Sequence, residues 1–248
     1  MRHTFRYVVN EVPDAGAEVV LSDADAHHLA RVVRRGPGDE VELIDPEGHL
    51  WPARVLSTTP VVTVRVSEER PPVRAPGTRV ALYLGLMEWG RLDTAVEKAV
   101  ELGVSEVTLF TSERTRRVPE PDAWRRRRER LGRVAEAAAR QSGRGPLGRL
   151  RGLLAFDQII GEIPSGEGFL IDPRGEVPLP PALAREEGAV TRVAVVVGPD
   201  AGFSQDEVDR ARSAGLVVSH LGPSILRAET AAIAAVTIAA ASGWEAQA

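Results

Sequence analysis

Apolar and polar positions follow two different periods along this chain, and the change of period divides it. In the N-terminal part the period is two. Phe5–Val9, Val41–Ile44, Leu50–Val55 and Val61–Val66 are short runs rich in β-branched or aromatic residues, punctuated by Pro37-Gly38-Asp39 and Pro46-Glu47-Gly48. Such runs between turn residues predict strands. One short helix is predicted over Asp25–Arg34. Residues 1–70 therefore read as a small β-barrel. Residues 71–78, with Pro71, Pro72, Pro76 and Gly77, read as a linker.

From Arg79 the pattern alternates between strands and helices. Arg79–Leu84, Glu106–Phe110, Gly168–Ile171, Arg192–Val197 and Leu216–Leu221 predict strands. Leu92, Ala95, Val96, Ala99 and Val100 fall on one helical face, and Gly103 ends that helix. Asp122–Ser142 predicts a long helix with Trp124, Leu131, Val134, Ala135 and Ala138 inward. Ser204 and Glu207 form a capping box that opens a helix running to Ala214. Leu226–Ser242 predicts a final, alanine-rich helix. Strand alternating with helix over residues 79–248 means an α/β domain with a mostly parallel sheet.

Composition narrows the chemistry. With 248 residues, 43% of them hydrophobic, the chain can bury a sizeable core. No apolar run approaches the roughly 20 residues that span a bilayer, and no secretory signal is read at the start. There is no cysteine, which removes disulfides, thiolate metal sites and a cysteine nucleophile, and fits a cytoplasmic location. The five histidines have no metal-ligand spacing with acids, so no metal is expected.

Net charge is −4, yet its distribution is uneven. Thirteen arginines and four acids lie between Arg114 and Arg151. A local basic segment on an acidic protein suggests an anionic partner. A solvated helix face explains it equally well.

In open α/β sheets, ligands sit beyond the carboxyl ends of the strands. Three such ends are rich in Gly, Pro and polar residues: Ile171–Gly175, Gly198–Ser204 and Leu221–Arg227. Neither a dinucleotide fingerprint nor a P-loop is present. Three loops at one sheet edge favour a pocket.

The segments Gly198-Pro-Asp-Ala-Gly-Phe-Ser204 and Leu221-Gly-Pro-Ser-Ile-Leu-Arg-Ala-Glu-Thr-Ala231 resemble the signature pair of the RsmE family, SPOUT-class methyltransferases that modify N3 of a uridine in 16S ribosomal RNA. Lys98–Val104, Ser112–Arg114, Gln141–Arg144 and His27–Arg34 with Gly38-Asp39 resemble further motifs of that family. The resemblance covers nearly the whole chain in order. The chain departs from the family pattern at Asp200-Ala201, at Ala228, and near Glu88-Trp89, where the family commonly has a lysine.

The resemblance implies an α/β fold with a SPOUT-type trefoil-knotted, mostly parallel sheet and a small N-terminal PUA-like β-barrel. It implies a homodimer, S-adenosyl-L-methionine as cofactor, and 16S ribosomal RNA or the assembled small subunit as substrate. The cofactor is expected against Ile171, Gly198, Pro199, Gly202, Leu221, Gly222, Ile225 and Leu226. Arg227 is the candidate cation for charge that develops on the uracil carbonyls. Glu229 or Asp200 is the candidate base, with solvent as the third alternative. RNA contacts are expected from Arg31, Arg34, Arg114, Arg116, Arg125, Arg126 and Arg144. Two alternatives remain at this point: a SPOUT enzyme acting on a ribose 2′-OH or on tRNA, and an inactive RNA-binding assembly protein.

Overall fold

The computed structural model describes residues 5–9, 11–45, 49–68, 73–74, 79–142, 149–183 and 192–241. The chain forms two compact units, one of Met1–Ala75 with Ala139–Gly148 and one of Pro76–Ala138 with Arg149–Ala248. The sequence-predicted linker 71–78 and Arg144 lie wholly or mostly outside the described residues.

The N-terminal unit contains β1 (Phe5–Val8), β2 (Glu18–Val20), α1 (Asp23–His27), β3 (Glu40–Ile44), β4 (His49–Ser57), β5 (Thr63–Val66) and β6 (Val73–Arg74). Among the described residues they form a sheet of order β1-β3-β4-β5-β2, with β6 on β4. Every second residue of the predicted strands turns inward, so Tyr7, Val41, Leu43, Val55, Val64 and Val66 share one core with Leu21 and Leu29. Ser22 caps α1 through its hydroxyl, which accepts from Asp25 N–H. The predicted helix over Asp25–Arg34 is two pieces: α1 ends at His27, and His28–Val32 continues as a wider π turn. The Val33 N–H donates to the His28 carbonyl at 3.0 Å. Arg34 then takes a left-handed φ of 54°, a conformation few side-chain-bearing residues adopt.

The C-terminal unit carries β7 (Arg79–Gly85), α2 (Trp89–Glu101), β8 (Glu106–Thr111), α3 (Pro121–Ser142), β9 (Arg149–Ala155), α4 (Phe156–Glu162), β10 (Gly168–Ile171), β11 (Val177–Pro178), α5 (Leu179–Leu183), β12 (Arg192–Val197), α6 (Gln205–Ser213), β13 (Val217–His220) and α7 (Ala228–Ala241). Among the described residues its sheet has the order β11-β13-β10-β12-β7-β8-β9. Every pairing in it is parallel. The central strands are therefore apolar on both faces: β12 is buried from Val193 to Val197 and β7 from Val80 to Gly85.

One face of this sheet packs Tyr83, Phe110, Leu170 and Val196 against α4 and α6 through Phe156, Ile159, Val208 and Ala211. α7 packs on β7 and β12 of the sheet, and α2 packs on α7. The alanine stripe of α7, Ala232, Ala235 and Ala239, is fully buried. Small side chains let α7 lie close to α2, β7 and β12 within this same chain. The helix begins at Ala228, two residues later than Leu226, so Arg227 precedes it; the Arg227 carbonyl accepts the Ala231 N–H at 2.8 Å.

Candidate active site

The strands of the parallel sheet deliver five loops to one edge, and each loop is fixed differently. After β10, Asp172 is 3% exposed. Its N–H donates to the Ser219 carbonyl at 3.0 Å, which ties this loop to β13. Arg174 turns back on it: Nε donates to Asp172 Oδ1 at 2.7 Å and Nη2 to Oδ2 at 2.8 Å. The same guanidinium donates to the Phe203 carbonyl at 3.0 Å and to Gln205 Oε1 at 3.0 Å. Burial pushes the Asp172 carboxyl up, but the Arg174 guanidinium and N–H outweigh it and hold the group below its ordinary value.

After β12, Gly198–Ser204 is anchored by Phe203. This ring is 1% exposed and stacks on Phe110 with centroids 6.2 Å apart. Gly202 takes a φ of 67° and its N–H donates to the Pro199 carbonyl at 2.8 Å, a turn that needs glycine. Ala201, by contrast, has no left-handed φ, so the departure there from the family pattern costs nothing in backbone strain. The capping box then opens α6: Glu207 N–H donates to Ser204 Oγ at 3.0 Å and Ser204 N–H to Glu207 Oε2 at 2.9 Å. The second oxygen of Glu207 accepts Glu113 N–H at 2.9 Å, which pins the loop after β8 beside it.

After β13, the Gly222 N–H donates to His220 Nδ1 at 3.0 Å, and Gly222 adopts a φ of 117°. After β7, Glu88 caps α2 by accepting the N–H groups of Gly90 and Arg91 at 2.9 and 3.2 Å. Those two hydrogen bonds lower the Glu88 carboxyl below its usual range.

Two neighbouring cavities lie along this edge. The first has a volume of about 410 Å³ and is walled by the loops after β10, β12 and β13. All eight residues that the sequence reading grouped as a cofactor site, Ile171, Gly198, Pro199, Gly202, Leu221, Gly222, Ile225 and Leu226, line this one cavity. The second, about 510 Å³, lies between the start of α2, the loop after β8 and the start of α3. Arg114, Pro199, Asp200 and Ala201 border both.

Residues 74–240 match the model of a family described as an RNA methyltransferase domain. The chain belongs to this RNA methyltransferase family. Residues 21–60 match a second model, an RNA methyltransferase PUA domain. The chain is similar to ribosomal RNA small subunit methyltransferase E of Mycobacterium bovis, 29% identical over 98% of this chain and 94% of that one. It is 25% identical to the protein of that name from Bacillus subtilis, over 88% of this chain and 87% of the relative. Among solved structures, a ribosomal RNA small subunit methyltransferase E from Neisseria gonorrhoeae bound to S-adenosyl methionine superposes with a TM-score of 0.80 at 25% identity, covering 94% of this chain and 95% of that one. The RsmE resemblance, the α/β class and the PUA-like N-terminal part are thus borne out.

The remaining candidate residues of this methyltransferase fall into distinct places. Neither Arg227 nor Glu229 is among the lining of either cavity, although their neighbours Leu226, Ala228 and Ala231 line the first. The Arg227 side chain is exposed and has no partner among the described residues. Glu229 lies with Oε1 3.9 Å from Arg91 Nε, while its Oε2 is buried with no hydrogen-bond partner among the described residues. Both oxygens of Asp200 are engaged, Oδ1 by Arg91 Nη1 at 2.8 Å and Oδ2 by the Glu88 N–H at 3.3 Å. Arg114 and Arg116 line the second cavity. Arg125 is exposed and pairs with Asp122 at 3.2 Å, and Arg126 is exposed. Arg31 and Arg34 are exposed on the N-terminal unit.

Sequence reasoning missed Arg91, Arg127 and Arg174. Each sits in or beside a predicted element with no local signal of its role. Arg127 is the clearest case: its neighbours in the arginine run are exposed, whereas its own side chain is 12% exposed and bound to Asp93 at 2.5 Å.

Proposed function

We propose that this chain transfers the methyl group of S-adenosylmethionine to N3 of a uridine in 16S ribosomal RNA. The observation that carries the reading is the convergence of three separate strand-end loops on one cavity of about 410 Å³. The lining suits that cofactor. Ile171, Leu221, Ile225 and Leu226 give apolar walls for an adenine ring, the backbone of Gly198, Gly202 and Gly222 is open to close approach, and Arg114 offers a cation for a carboxylate. When bound, the cofactor supplies an electrophilic methyl group on a sulfonium centre.

Uridine N3 must lose its proton to present a lone pair, and negative charge then spreads to the two flanking carbonyl oxygens. Arg227, a permanent cation unneutralised by any described residue and next in sequence to the lining residues Leu226 and Ala228, is our candidate to meet that charge. It cannot accept the proton. Asp200 has both oxygens committed to donors, which leaves Glu229, whose Oε2 accepts no hydrogen bond from a described residue, as the candidate base. No cysteine is required, because attack comes directly from a ring nitrogen. The exposed arginines place RNA through its phosphates, which orients the strand without reading its sequence.

The same reading assigns residues 1–70 to RNA binding and 79–248 to methyl transfer, in a cytoplasmic homodimer whose C-terminal segment is knotted. Two observations support the last parts. Ile225 is 88% exposed at the cavity mouth, where a second copy of the chain would bury it. The last strand, β13, is inserted between β10 and β11 rather than added at an edge.

Calorimetric titration with S-adenosylmethionine, followed by transfer of labelled methyl groups to small-subunit RNA, tests the reading. Binding with transfer is expected. No binding at millimolar cofactor would leave an RNA-binding protein without the enzyme. Labelling of tRNA in place of 16S RNA would move the substrate.

A further inference from the structure

The second cavity holds an aromatic residue that lies outside the buried stripe of its helix. The buried stripe of α2 starts at Leu92 and runs through Ala95, Val96, Ala99 and Val100. Trp89 precedes that stripe and remains 36% exposed at the cavity wall. Leaving part of an indole in solvent forgoes burial that a smaller residue would not waste.

The indole is nevertheless held firmly. The Arg127 guanidinium lies over the ring, 4.9 Å from its centroid. Arg127 also donates through Nη2 to the Trp89 carbonyl and to Asp93 Oδ1. One face of the ring is thus covered by a fixed cation. A guanidinium on one face and a flat ligand on the other is a sandwich that a nucleobase completes, since every base offers a π face.

Charge around the cavity agrees with a nucleotide. Arg116 and Arg117 line it and have no ion-pair partner among the described residues. Its acids are largely committed elsewhere: Asp200 to Arg91 and the Glu88 N–H, Glu88 to the first N–H groups of α2. Among the described residues, Glu120 is the one acid of this lining whose side chain is unengaged, and the two arginines without an ion-pair partner outnumber it. The cavity also shares the Pro199–Ala201 wall with the cavity assigned to the methyl donor, so a ligand in one lies beside a ligand in the other.

We propose that this second cavity receives the target uridine, turned out of its RNA strand, with the base stacked on Trp89 and the adjoining phosphates held by Arg116 and Arg117. The proposal rests on the reading of the first cavity as the methyl-donor site. A base inside a folded strand cannot present N3 to a buried methyl group, and unstacking it costs free energy that an aromatic platform returns. Trp89 stacks on any base, so it supplies affinity and placement and leaves the identity of the base to other groups.

The test combines two variants and three readouts on the whole chain. Trp89→Ala is expected to raise KM for 16S RNA about 5- to 150-fold, the range that loss of one base stack implies. Affinity for S-adenosylmethionine should stay within about twofold, which also shows that the variant folds. Trp89→Phe should restore most of the RNA affinity. Titration with a short single-stranded uridine oligonucleotide should quench tryptophan emission in the unaltered chain, and Trp89→Phe should lose that quench while still binding. An identical quench in Trp89→Phe, or an unchanged KM in Trp89→Ala, overturns the proposal. Failure of the methyl-donor reading looks different: the unaltered chain would not bind S-adenosylmethionine, yet the Trp89-dependent quench would persist.

Discussion

Arg91 Nη1 lies 2.8 Å from Asp200 Oδ1, joining the first turn of α2 to the loop after β12 across 109 positions of sequence. That loop is the wall common to both cavities. The pair is 38% and 22% exposed, so its direct contribution to folding is small, about 0–1 kcal/mol. Its effect on the site is larger, because it fixes where Pro199 and Ala201 stand. Arg91→Ala is expected to leave the unfolding midpoint nearly unchanged while lowering kcat/KM for methyl transfer about tenfold. Thermal unfolding and steady-state kinetics on the same preparation check this; a large loss of stability with intact kinetics would reverse the assignment.

Asp172 and Arg174 form a more buried pair that closes the loop after β10. Asp172→Asn leaves the guanidinium without its charged partner in a site 4% exposed on the acid side, and should destabilise the chain by about 1–3 kcal/mol at neutral pH. The sign with pH follows from the lowered carboxyl. Its stabilisation is complete above the unfolded value of about 3.9 and is lost as pH falls below that toward the native value. Urea unfolding at pH 7 and at pH 3 should therefore show the difference between the two proteins shrinking in acid.

Two glycines give opposite expectations for the same substitution. A Cβ on Gly85 would stand 2.7 Å from both the Gly198 carbonyl carbon and Pro199 Cδ. Gly85→Ala must displace the loop after β12 and is expected to cost about 2 kcal/mol and most of the cofactor affinity. Gly132, in the middle of α3, has nothing within 4 Å of such a Cβ, and Gly132→Ala should stabilise by about 0.5–1 kcal/mol. Denaturant unfolding and cofactor calorimetry on both variants separate a steric role from a general glycine effect.

Arg227→Ala tests the chemistry rather than the scaffold. The side chain is exposed and makes no described contact, so folding and cofactor affinity should be nearly intact. Turnover should fall about 100-fold, the scale of losing one preorganised group that meets developing charge. Unchanged turnover removes Arg227 from the mechanism.

Much of this architecture was legible in the sequence because it is written locally. Period-two runs gave β3 and β5, and a continuous apolar run gave β12; helical spacing gave α2; the Ser204–Glu207 box opened α6 as read. Gly- and Pro-rich strand ends drew attention to the three loops that meet at the cavity. What escaped was set by distant contacts. The strand β9 carries Arg149, Arg151 and a central Gly152, which read as neither strand nor core. Gly152 is there because the Trp124 ring fills the space of its missing side chain. The π turn at His28–Val32 has no period to announce it. Trp89 and Arg127, 38 positions apart, acquire their relation only when α3 lies beside the start of α2.

Nucleoside analysis of the reaction product tests the central claim most directly. 16S ribosomal RNA lacking the modification, incubated with this protein and S-adenosylmethionine and then digested to nucleosides, should yield 3-methyluridine by mass spectrometry, at one position per molecule. A 2′-O-methylated nucleoside, a methylated base other than uracil, or no methylated product in the presence of bound cofactor would contradict the account.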